Sequence, residues 1–112
     1  MSQHLSRHKQ LAAVLSDIRT ELQHLNRWQS QPPSAEALAS QQPFAVDTLS
    51  FFEWTQWIML PRFEALIEQQ APLPGNCNIA PMTETVVQQE GIDGEQLIAL
   101  FHRLDQTLNG TH

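Results

Sequence analysis

The stretch SFFEWTQWIMLPRF, from Ser50 to Phe63, crowds aromatic and aliphatic residues into a single helical run. Large side chains of this kind leave water when a chain folds, and they dominate the area that a core buries. A chain carrying this run must therefore form a helix there and wrap other elements around it. Ser50 followed by Glu53 has the form of a capping box: the serine oxygen accepts from the Glu53 backbone N–H, and the Glu53 carboxylate accepts from the Ser50 backbone N–H. The helix thus starts at Phe51. Pro61 lies inside the pattern, yet Phe63, Leu66 and Ile67 keep helical spacing, which predicts one helix to about residue 70, kinked at Pro61.

The remaining elements follow from spacing and punctuation. Leu11, Leu15, Ile18, Leu22 and Leu25 recur at alternating steps of four and three, with Val14 and Trp28 beside them, and predict an amphipathic helix over residues 4–29. Pro32 and Pro33 are expected to stop it. Ser34 can cap a short turn over residues 35–40 that leans on the core through Leu38. Residues 44–49 form an apolar crossing to the central helix. Beyond the proline-rich loop at residues 71–76, Pro81 suits a helix's first turn, Met82, Val86 and Thr85 supply its inner face, and Gly91 ends it. Asp93 with Gln96 reads as a second capping pair ahead of the stripe Leu97, Leu100, Phe101, Leu104 and Leu108. No segment alternates with period two, so the expected fold is all-α: a single-domain bundle of four main helices and one short connecting helix over residues 1–112.

Charge and cysteine content exclude several functions. The net charge is −6, and Lys9 is the only lysine, so no basic stripe is present to neutralise phosphates and direct nucleic-acid binding is not expected. Cys77 is the only cysteine, which excludes an internal disulfide and fits a reducing, cytoplasmic setting. No apolar run approaches the roughly 20 residues of a membrane span. His4 and His8 have the spacing of a two-point metal clip but lack a third ligand. No nucleophile elbow, phosphate loop or paired-carboxylate motif frames the serines, histidines and acids. No metal, cofactor or catalytic residue is expected, and the chain does not read as an enzyme.

Gln42-Pro43-Phe44, Asp47-Thr48, Glu53-Trp54, Gln56-Trp57, Ile58, Pro61-Arg62, Leu73-Pro74 and Ala80-Pro81 together resemble the YqcC-like family of small bacterial proteins, across nearly the whole chain. The resemblance implies an all-helical bundle, often encoded beside tRNA pseudouridine synthase C, and hence an accessory role in tRNA modification. It supplies no catalytic residue. Pseudouridine synthesis itself needs a catalytic aspartate in a much larger mixed α/β fold.

On a helical wheel Phe51, Trp54, Ile58 and Ala65 fall on one apolar stripe, and Phe52, Met59, Phe63 and Leu66 on its neighbour. Arg62 falls between them. A cation so placed either pairs with a carboxylate, for which Asp47, Asp17 and Glu21 are candidates, or waits for a ligand or partner. Trp57 projects toward Glu53, Glu64 and Glu68 and is the tryptophan best placed to anchor a partner, the alternative being cover from the Leu38 turn or the proline loop. The candidate surface is accordingly Asp47, Trp54, Trp57, Arg62, Leu73 and Pro74. The leading expectation is a protein-interaction module whose partner is a tRNA pseudouridine synthase. The alternative is an RNA- or small-ligand-binding bundle using a pocket of Trp54, Trp57 and Arg62. Either is compatible with homodimerisation.

Overall fold

Ser6 opens the first helix of the computed structural model, which describes residues 6–110. Its hydroxyl accepts from the Lys9 backbone N–H at 3.2 Å, and α1 runs over Arg7–His24 with Leu11, Val14, Leu15, Ile18 and Leu22 buried. Of the expected span, residues 4 and 5 lie outside the described residues. The far end stops short of residue 29, and the proline pair is not the cause. Asn26 turns left-handed at φ 60°, its N–H bonds to the Gln23 carbonyl, and the Arg27 N–H bonds to the Leu22 carbonyl. These are the two reversed bonds of a Schellman ending, and asparagine is among the few side chains that tolerate the left-handed turn they require.

Helix α2 (Ala35–Leu38) is capped by the Ser34 hydroxyl, which accepts from the Ala37 N–H at 3.1 Å. It buries no residue fully, so the following crossing holds it in place. The Thr48 hydroxyl donates to the Ala37 carbonyl at 2.7 Å, and the Ser40 hydroxyl donates to Asp47.

The central rod consists of α3 (Phe51–Trp54), a π-turn (Thr55–Met59) and α4 (Leu60–Glu68). The capping box forms as expected: the Ser50 Oγ accepts from the Glu53 N–H at 3.1 Å, and the Glu53 carboxylate from the Ser50 N–H at 2.9 Å. Helical structure continues through Pro61, with the irregularity placed ahead of it. The Leu60 N–H reaches back five residues to the Thr55 carbonyl, and this wide turn lies where the proline's ring and missing N–H would disrupt a regular ladder. One extra residue per turn advances the helix face by about 100°. The regular wheel therefore holds only in part beyond Thr55: Met59 and Phe63 are buried as expected, but Leu60 is buried too, Ile58 is half-buried, and Ala65 and Arg62 are exposed.

Helix α5 (Ala80–Glu90) carries Pro81 in its first turn and ends at Gly91, φ 65°. Its inner face is Ala80, Thr83 and Val87. Of the residues expected there, Met82 and Val86 are half-buried and Thr85 is exposed. Helix α6 (Glu95–Asn109) starts from Gly94 without a side-chain cap, so the expected Asp93–Gln96 pair does not form. A Cβ at position 94 would lie 2.4 Å from Val87 Cγ2. The close approach of α6 to α5 thus puts a glycine at the cap. The α6 stripe Leu97, Leu100, Phe101, Leu104 and Leu108 is buried as expected.

The protein is all-α, with no strand among the described residues. α1 lies along α6, α4 packs on α1 and α5 on α6. Phe51 from the rod meets Phe101 from α6 at a ring separation of 5.3 Å inside one continuous core. No described helix is long and apolar enough to cross a membrane.

Candidate functional site

The surface of the rod is organised by what grips it on either side. Gln56 is buried, and its amide serves a single loop residue: Oε1 accepts from the Gln29 N–H at 2.8 Å, and Nε2 donates to the Gln29 carbonyl at 2.7 Å. The Gln29 side chain then donates to Glu53 at 3.1 Å and accepts from Trp57 Nε1 at 2.9 Å. Trp57 is thereby fixed through its one polar atom while its ring stays half-exposed. The Glu53 carboxyl is held below the ordinary glutamate value, chiefly by the Ser50 backbone N–H, with burial opposing and the Gln29 and Ser50 side chains assisting.

On the other side stands Phe44. It and Ala45 are left-handed, at φ 58° and 49°, an arrangement that costs free energy for any residue with a Cβ. The turn sets the Phe44 ring edge-on to Trp54 at 4.9 Å. Trp54 itself is buried at 8% exposure.

Two hollows flank this pair. The first, about 630 Å³, lies between α2 and the rod, and Leu38, Ser40, Gln41, Gln42, Phe44, Ala45, Trp54, Trp57, Ile58 and Arg62 line it. The second, about 570 Å³, is lined by Phe44, Trp54, Arg62, Phe63, Leu66, Leu73, Pro74 and Cys77. Phe44, Trp54 and Arg62 border both and so stand between them. The structure thus brings together Trp54, Trp57, Arg62, Leu73 and Pro74 of the expected surface. It leaves out Asp47, which lines neither hollow and is tied to Ser40.

Helix α6 holds the far wall of the second hollow. Asn109 accepts from the Cys77 N–H at 2.7 Å and donates to the Cys77 carbonyl at 2.8 Å. Buried Asp105 accepts from the Ile79 N–H at 2.9 and 3.0 Å and from the Ala80 N–H at 2.9 Å. Burial, and then the Asp105 charge, push the Cys77 thiol above its ordinary value, so it stays protonated at neutral pH.

Arg62 has none of the carboxylate partners proposed for it. Asp17 pairs with Arg103 at 2.9 Å, Glu21 meets His24 at 3.5 Å, and Asp47 is taken by Ser40. Arg19 pairs with Glu64, Arg27 with Glu90 at 3.1 Å, and Arg7 donates to the carbonyls of Thr107 and Leu108. Among the described residues Arg62 is the one arginine with no hydrogen-bond or ion-pair partner. Sequence reasoning missed Phe44 and Gln29 as site-forming residues. Nothing local marks a left-handed phenylalanine, or a loop glutamine that reaches back to the rod.

No three histidine, cysteine or acidic side chains converge to hold a metal among the described residues. Residues 10–107 match the DUF446 family, which is described as tRNA pseudouridine synthase C. The chain belongs to this family. An uncharacterized protein of Haemophilus influenzae is 37% identical over 85% of this chain and 89% of its own. The uncharacterized protein YqcC of Escherichia coli is 28% identical over 90% of this chain and 93% of its own. The solution NMR structure of E. coli YqcC superposes with a TM-score of 0.83 at 26% identity, covering 96% of this chain and 92% of that one. A tRNA pseudouridine synthase C of Pectobacterium carotovorum is 41% identical over 70 residues, which make up 62% of this chain and 19% of the synthase. The fold is thus shared across most of the chain with YqcC, and a 70-residue stretch of similar sequence lies within a much longer polypeptide.

Proposed function

We propose that this protein is a non-catalytic accessory module that docks onto a tRNA pseudouridine synthase through the two hollows around Trp54 and Arg62. The observation that carries this reading is the Pectobacterium carotovorum relative. A segment similar to this chain occupies 19% of a polypeptide named for the synthase, which leaves the greater part of that polypeptide for another unit. Two units joined in one chain in one organism are held at high effective concentration, an arrangement that a separate module reproduces by binding.

The charge pattern fits such a role. A net charge of −6, with every other described arginine already paired, offers no track for phosphates. The module therefore adds protein contacts to an RNA-binding partner without competing for its RNA. Half-exposed Trp57, held by Gln29, and unpaired Arg62 are residue types that anchor interfaces. Purified synthase from the same bacterium, titrated against this protein by calorimetry before and after nuclease treatment, tests the proposal. Nuclease-resistant binding is expected. No binding at micromolar concentrations sinks it.

A second reading draws on the first hollow alone. Trp54, Trp57 and Arg62 do converge there, on a volume in the range of small-ligand sites. Tryptophan fluorescence titrated with nucleotides and tRNA at moderate salt tests it, and an unchanged spectrum removes it.

A further inference from the structure

The groove beside the central rod has an unusual division of chemistry: a hollow where Ser40, Gln41 and Gln42 stand beside Leu38 and Ile58, a mainly apolar hollow at Leu66 and Leu73, and an unmatched guanidinium between them. We propose that its occupant is an extended segment of the synthase polypeptide carrying a carboxylate beside an apolar side chain. The carboxylate meets Arg62, and the apolar side chain enters the hollow lined by Leu66 and Leu73. The inference rests on the partner proposed above and adds which feature of that partner is read.

Charge complementarity is the first argument. In a molecule of net charge −6, a negative group is repelled by most of the surface. Arg62 is exposed, and no acceptor among the described residues neutralises it. Its planar fork matches a carboxylate in two-point geometry. A nucleic-acid strand would bring successive phosphates to a face with a single free cation, so an isolated carboxylate on a peptide is the better fit.

Shape is the second argument. Phe63, Leu66 and Leu73 line the second hollow, so an apolar anchor is accommodated beside the cation, while Ser40, Gln41 and Gln42 in the first hollow offer hydrogen-bonding groups to the segment's backbone. The walls are also fixed beforehand. Gln29 and Gln56 hold the Trp57 side, and Asp105 and Asn109 hold the Cys77 side. A preformed groove loses little conformational freedom when a segment binds.

The test uses fluorescently labelled overlapping peptides tiled across the synthase of the same bacterium, titrated with the full chain and followed by anisotropy. The expected binder contains an aspartate or glutamate next to an apolar residue. Replacing that acid by its amide weakens binding about tenfold or more, and so does Arg62→Glu in the protein. A peptide with lysine in place of the acid regains affinity for the Arg62→Glu variant. Arg62 is exposed, so the variant is expected to keep the wild-type melting curve. If intact synthase binds but Arg62→Glu changes nothing and no acidic peptide is selected, this inference fails while the accessory role stands. If intact synthase does not bind the wild-type protein, the accessory role falls and takes this inference with it. Self-association abolished by Arg62→Glu would assign the groove to a second copy and overturn the proposal. Binding of tRNA abolished by the same change would overturn it too.

Discussion

Asp105 shows how one residue can serve both stability and the site. Its carboxylate is 7% exposed and accepts from two backbone N–H groups at the start of α5, where no local side chain caps the helix. Asp105→Ala strands those donors in a buried position, and a loss of about 2–3 kcal/mol is expected in urea denaturation. The same charge, added to burial, raises the Cys77 thiol. Because only the thiolate reacts, alkylation of Cys77 by iodoacetamide should accelerate only above the pH midpoint of an ordinary cysteine. Asp105→Asn should move that midpoint down, and a wild-type profile at the unperturbed midpoint would contradict this account. Sequence marked Arg62 as out of place and left two readings, pairing with Asp47, Asp17 or Glu21, or waiting for a ligand or partner. Those partners were settled by long-range packing, which brought Asp17 to Arg103 across 86 positions and left Arg62 free.

At the scale of elements, the meeting of α5 and α6 is set by a missing methyl group. Gly94→Ala drives a Cβ against Val87, so the helices must separate or Val87 must leave its rotamer. A cost of about 1–3 kcal/mol is expected by thermal unfolding. Gly75→Ala, with nothing within 4 Å, serves as the control and should leave stability unchanged within about 0.5 kcal/mol. Helix existence was legible because the leucine stripes of α1 and α6 and the aromatic run of the rod each specify a buried face. Helix ends were less so. Asn26 and Gln70 take left-handed turns that a search for glycine or proline passes over. The π-turn at Thr55–Met59 shifted the helix phase after it; Phe63 stayed buried as expected, but the slip carried Arg62 from its expected place between apolar stripes onto the surface.

For the whole molecule, the decisive contact is between the rod and the α1–α6 pair, and Phe101 lies within it. This ring is fully buried and meets the Phe51 ring at a tilt of 53°, so Phe101→Ala is expected to cost about 3–5 kcal/mol and to lower the melting transition read by circular dichroism. A surface change such as Arg62→Glu should leave that transition in place, which separates loss of folding from loss of binding. Arg7, in the first turn of α1, holds the carbonyls of Thr107 and Leu108 near the end of α6. The described chain therefore enters and leaves the bundle side by side. A longer polypeptide could carry such a unit ahead of its other parts, behind them, or spliced into a hairpin, with the bundle tethered at the same place each time. Gene fusions in either order would then keep the Trp54 groove at a similar reach from the junction.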